Sequence, residues 1–146
     1  MGTTVLLLLG LVIVVADLGL KRVVRQRLAG TRLSLGPLGC LQTVTGRLWL
    51  ARAGRGVSVA EACALWSLLA ASLVAVGAWL PATRLPICLL LAGSASNLLE
   101  HATRGAITDF VRLRRWPAFN LADVALTAGA LGLLATSLVP AAAALA

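Results

Sequence analysis

VSVAEACALWSLLAASLVAVGAWLPATRLPICLLLAGSASNLLEH, residues 57–101, holds two apolar runs separated by only four residues. A helix needs about 20 apolar residues to cross a bilayer core. The first run, 57–80, has that length and stops at Pro81. The second, 85–101, is shorter and fades at Leu99 to His101. The link Pro81 to Arg84 is a tight turn, so the two runs read as an antiparallel pair of membrane helices. Working outward, a third run covers 3–20 and a fourth covers 121–139, with Pro140 after it. The expected fold is an all-α membrane protein, a four-transmembrane-helix bundle forming one domain over 1–146. The long first loop, 21–56, is Gly-rich in places. It includes LQTVTGRLWL, residues 41–50, whose Thr, Val and Trp content allows a short β hairpin or small sheet.

Composition agrees with a membrane protein. The chain is 60% hydrophobic and 12% charged, with a mean hydropathy of +0.95. A soluble domain is nearer half apolar and a quarter charged. The first run has no basic segment before it, and Asp17 stands near its end where a small-residue cleavage site would fall, so it reads as a retained helix rather than a removed signal. The net charge of +8 comes from twelve Arg and one Lys. These basic residues sit beside apolar segments, where they suit phospholipid headgroups better than nucleic acid. Cys40, Cys63 and Cys88 are far apart and the chain has one His, so no zinc site or disulfide framework is suggested.

Small residues let membrane helices approach closely. Ala92 to Ser96 and the Ala125-x-x-x-Gly129 pair supply them, so the third and fourth helices are expected to touch.

Ionisable groups at membrane depth are functional candidates by default. Asp17 and Lys21 stand at i,i+4, which can also be a simple helix pair worth about 0.2–0.5 kcal/mol. Asn97, His101 and Arg104 share one face of the third helix, and Glu100 can pair with Arg104 at i+4. Asn120 and Asp123 open the fourth helix, where an Asn cap and a first-turn acid are ordinary helix starts. Capping does not explain Asp109. The loop 102–120 tethers it near Asp123 if the last two helices are antiparallel neighbours. Two carboxylates brought close cannot both ionise easily. Such a pair can activate water with one member and polarise a carbonyl with the other.

These residues resemble the lipoprotein signal peptidases, the signal peptidase II family. SNLLEH carries Asn97 in a segment similar to the family's third-helix motif. ITDFV carries Asp109, and PAFNLADV carries Asn120, Ala122 and Asp123. DLGLK, with Asp17 and Lys21, is similar to the first-helix motif. The resemblance implies Asp109 and Asp123 as the catalytic pair. It implies Asn97 and Asn120 as groups that hold the pair or bind substrate, with Asp17, Lys21 and His101 in support. The implied reaction removes signal peptides from diacylglyceryl-modified prolipoproteins by a cut before the lipidated Cys, with no metal or organic cofactor. The implied location is the bacterial cytoplasmic (inner) membrane, multi-pass, with the active site facing outside. The sequence departs from the family pattern at His101, Glu100 and Val124. The first loop keeps Gly46 and Trp49 of the expected motif but lacks its Asn. Eight basic residues in the first loop and four in the third would by charge alone put those loops in the cytoplasm, against the family topology. Two other readings stand beside the peptidase: a catalytically impaired relative that binds lipoproteins or lipids, and a small structural membrane bundle.

Overall fold

A computed structural model describes residues 2–46 and 58–143 of the chain. Four helices, each long and apolar enough to cross a membrane, run in alternating directions. They are α1 (Thr3–Arg27), α2 (Val59–Trp79), α3 (Arg84–Arg104) and α4 (Leu121–Ala143). A three-stranded antiparallel sheet sits at one end, in the order β1 (Leu33–Ser34), β2 (Gly39–Gly46), β3 (Ile107–Leu113).

The helix starts follow local chemistry. Ser58 and Glu61 form a capping box at the start of α2, satisfying two backbone N–H groups that no helical carbonyl can reach. Pro81–Thr83 make a single 3-10 turn between α2 and α3. Arg84 donates from Nε to the Gly77 carbonyl at 2.8 Å, closing the open end of α2. Helix α1 continues to Arg27 instead of stopping near Leu20.

The last two helices pack most closely, as the small residues suggested. A Cβ on Gly93 would lie 2.5 Å from the Ala122 carbonyl oxygen, and one on Gly129 would lie 2.7 Å from the Pro86 oxygen. Only glycine admits backbones at that separation. Trp66 Nε1 donates to Ser94 Oγ at 2.8 Å and ties α2 to α3.

Strand β2 contains most of the segment read as hairpin-forming, but its long partner comes from elsewhere. It pairs with β1 on one side and with β3, from the third loop, on the other. Residues 47–57, which include Trp49, lie outside the described residues. Gly105 closes α3 in the left-handed region, φ 71°, and the chain turns directly into β3. Beyond β3 the chain folds back, and Phe119 bridges to Val111 through N–H···O bonds of 2.9 and 3.0 Å.

Burial is inverted relative to a water-soluble domain. Leu7, Leu11, Leu68 and Trp79 face outward, whereas the largest fully buried side chains are Lys21, Asn120, Asp17 and Ser96. Lipid contacts the apolar exterior, and the polar groups satisfy one another inside.

Candidate active site

The buried polar groups form one connected cluster at the sheet end of the bundle. It begins on α1. Asp17 and Lys21 are both fully buried, one turn apart, with Nζ 2.7 Å from Oδ2. Asp17 also accepts from Ser96 Oγ at 2.6 Å and from the Ala122 backbone N–H at 2.9 Å. One carboxylate therefore binds α1, α3 and the first turn of α4 together.

Lys21 extends this inward. Its ammonium donates to Asn97 Oδ1 at 2.7 Å, and it stands 3.2 Å from Glu100 Oε2. Asn97 then donates from Nδ2 to Asp123 Oδ1 at 3.0 Å. The lysine thus fixes which way the amide points, because its oxygen must face Nζ and its nitrogen the carboxylate.

Asn120 joins the two acids. Its Nδ2 donates to Asp109 Oδ1 at 2.7 Å, with a longer 3.3 Å approach to Asn97 Oδ1. Its Oδ1 accepts from the Asp123 N–H at 2.9 Å, and its own N–H donates to Asp123 Oδ2 at 3.1 Å. The helix-cap reading of Asn120 and Asp123 is thus correct, and the same cap faces Asp109. The backbone explains how: the Phe119–Val111 bridge brings residue 120 alongside the strand position of Asp109.

Asp109 lies on β3 opposite Val44, and a Cβ on Gly46 would come within 3.2 Å of its Oδ2. Burial raises the Asp109 carboxyl to about 6; the Asn120 hydrogen bond opposes this, and the Asp123 charge adds to it. Asp109 therefore holds a proton more readily than an ordinary carboxyl group does. The arrangement can offer one acid that carries a proton and one that accepts it.

The structure brings together Asp109, Asp123, Asn97, Asn120, Asp17 and Lys21. His101 is different: its Nδ1 is buried and has no hydrogen-bond partner among the described residues. Glu100 does not pair with Arg104. It binds Arg25 and Lys21 instead, and accepts from Thr108 N at 2.9 Å and Thr108 Oγ1 at 2.7 Å. Arg25 also reaches Thr108 Oγ1 at 2.9 Å. Sequence reasoning missed Arg25, Thr108 and Ser96. For Arg25 a signal existed: Asp17, Lys21 and Arg25 recur every four residues on one helix face. Among the described residues no three His, Cys, Asp or Glu side chains are grouped to hold a metal ion.

Comparison with known proteins gives the family and the fold. The chain is 43% identical over 61 residues to a lipoprotein signal peptidase of Moorella thermoacetica, covering 42% of this chain and 41% of that protein. It is 38% identical over 87 residues to one of Methylobacterium radiotolerans, covering 51% of each. The matches thus span about two-fifths to half the length of these relatives. A bacterial membrane enzyme solved by the in meso method at 1.9 Å resolution shares the fold, with a TM-score of 0.81 at 18% identity over 93% of this chain and 94% of that one. The sequence model of the family described as Signal peptidase (SPase) II matches residues 9–139, nearly the whole bundle and every residue of the polar cluster, so the chain belongs to the signal peptidase II family.

Proposed function

We propose that the protein is a membrane aspartic endopeptidase that removes signal peptides from diacylglyceryl-modified prolipoproteins, cutting before the lipidated Cys. The observation that carries this reading is Asn120, which contacts Asp109 and Asp123 at once from the first turn of α4. Family membership and the relatives' printed name, lipoprotein signal peptidase, support the substrate class.

The chemistry follows from two facing acids and the proton that Asp109 can hold. Asp123, as carboxylate, takes a proton from water as the oxygen attacks the scissile carbonyl. Asp109, holding a proton, gives it to the carbonyl oxygen, so a neutral gem-diol forms. The proton now on Asp123 passes to the leaving nitrogen as the C–N bond breaks, and Asp109 recovers its proton from the gem-diol. The products are a carboxyl-ended signal peptide and a free amine on the lipidated Cys. Asn97 and Asn120 hold the acids in place, and Lys21 orients Asn97.

We place the reaction on the outer face of the bacterial cytoplasmic membrane. Helix direction puts the dyad and loops one and three at one end and both termini at the other. Two of the twelve basic residues at the dyad end are paired inside the protein. Lys21 is fully buried against Asp17, and Arg25 is paired with Glu100. The rule that keeps basic loops inside counts Lys and Arg rather than net charge and still opposes this orientation; the family resemblance, whose substrates are exported, carries it.

The test uses protein in lipid nanodiscs with a diacylglyceryl-modified precursor peptide. Wild type should release the signal peptide, and Asp109→Asn and Asp123→Asn should each abolish release while still binding the peptide. Full cleavage by either variant would overturn the proposal.

A further inference from the structure

A cleft of about 720 Å³ opens between the C-terminal turns of α1 and α3, beside the polar cluster. Leu18 and Leu99 line its apolar part, Gln26 and Thr103 its neutral polar part, and Arg22, Arg25, Arg104 and the buried Glu100 its charged part. All five acidic residues of the chain already have other partners. Asp17 and Glu100 pair with Lys21 and Arg25. Glu61 closes the α2 capping box, and Asp109 and Asp123 are held by the two asparagines. Arg22 and Arg104 are exposed and have no carboxylate partner among the described residues. Two guanidinium groups without counter-ions therefore line a cleft that also presents two leucines, at the helix ends.

We infer that this cleft binds the headgroup of an anionic glycerophospholipid, with the phosphodiester between Arg22 and Arg104 and an acyl chain along Leu18 and Leu99. Guanidinium matches a phosphate with two parallel hydrogen bonds. The diacylglyceryl group of the proposed substrate is uncharged and gives the arginines nothing to bind, so the ligand is a lipid of the surrounding leaflet. Because Arg25 borders the cleft and also holds Glu100 and Thr108, the bound lipid contacts a residue that anchors β3.

Native mass spectrometry of the full chain in detergent, offered equal phosphatidylglycerol and phosphatidylcholine, tests this. Wild type should retain phosphatidylglycerol preferentially. Arg22→Gln/Arg104→Gln should lower that preference by about tenfold or more, because the hydrogen bonds to a charged group are lost. Arg114→Gln/Arg115→Gln, away from the cleft, should keep it. The thermal unfolding midpoint checks that each variant is folded; if the double variant is not, the single Arg104→Gln decides by the same readout. Equal retention of both lipids by wild type, or unchanged preference in the folded cleft variant, would overturn the inference. So would displacement of phosphatidylglycerol by excess inorganic phosphate, which would mark a free-phosphate site.

Discussion

Removing the Asp17 carboxylate tests the buried cluster most directly. In Asp17→Ala, Lys21 keeps Glu100 at 3.2 Å and Asn97 at 2.7 Å but loses its contact at 2.7 Å. The Ala122 N–H and the Ser96 hydroxyl lose their acceptor too. Breaking a fully buried ion pair by removing one partner costs about 3–5 kcal/mol, because the other charge stays buried. Glu100 still compensates Lys21, but the orphaned Ala122 N–H alone costs about 1–3 kcal/mol, so the expected loss is about 3 kcal/mol, the low end of the range for a broken pair. Lys21→Ala should cost a similar amount. The double variant should cost less than the sum of the two, with a coupling of about 2 kcal/mol. Reversible unfolding in mixed micelles, followed by tryptophan fluorescence, measures all three. Single variants within about 1 kcal/mol of wild type, or strictly additive losses, would refute the claim that this pair anchors α1 to α3 and α4. Turnover adds a second readout: Lys21→Met frees the Asn97 amide to rotate, so cleavage should fall further than stability does.

The remaining expectations address the dyad and the helix contacts. The raised pKa of Asp109 means its proton is held below about pH 6 and lost above it, so kcat/KM for the precursor peptide, which reports the free enzyme, should decline as pH rises through about 6. A flat profile from pH 5 to 8 would contradict the assignment of the proton to Asp109. Gly93→Ala should destabilise by about 1–3 kcal/mol, since its Cβ would sit 2.5 Å from the Ala122 carbonyl. Gly19→Ala meets nothing within 4 Å and should be neutral or stabilising by up to about 1 kcal/mol; the same unfolding assay compares the two. Glu100→Gln leaves Arg25 without its carboxylate and should loosen β3, read as faster amide hydrogen exchange at Thr108 and Asp109.

Much of the bundle was legible because bilayer crossing imposes a length on each apolar run, and that length survives any error in pattern. The third and fourth helices were expected to touch from glycine and alanine spacing, and Gly93 and Gly129 lie at those contacts. The end of α1 was misplaced for an instructive reason. Lys21 ends the apolar run, but an apolar run and a helix need not end together: the backbone stays helical to Arg27, with Lys21 paired to Asp17 at 2.7 Å. That extra length carries Arg25 to Glu100. The i+4 rule offered Arg104 as the partner of Glu100, yet a local rule cannot see a guanidinium arriving from a helix 75 residues earlier.

Strand β3 shows why the acid pair could be named while its support could not. ITDFVRL reads as part of a loop between two helices, and motif likeness is enough to pick out Asp109. What holds that acid depends on the strand's two-residue period, which turns neighbouring side chains to opposite faces. Thr108 faces Glu100 and Arg25, while Asp109 faces Asn120. The β3 backbone is thereby clamped between a buried ion pair on one side and the cap of α4 on the other. An acid carried on a mobile loop would be solvated and would have an ordinary pKa. The clamp keeps Asp109 half-buried at the sheet end of the bundle, and burial is the largest cause of its raised pKa. The Glu100–Arg25–Thr108 contacts are therefore a condition for the acidity of Asp109, although none of them touches its carboxylate.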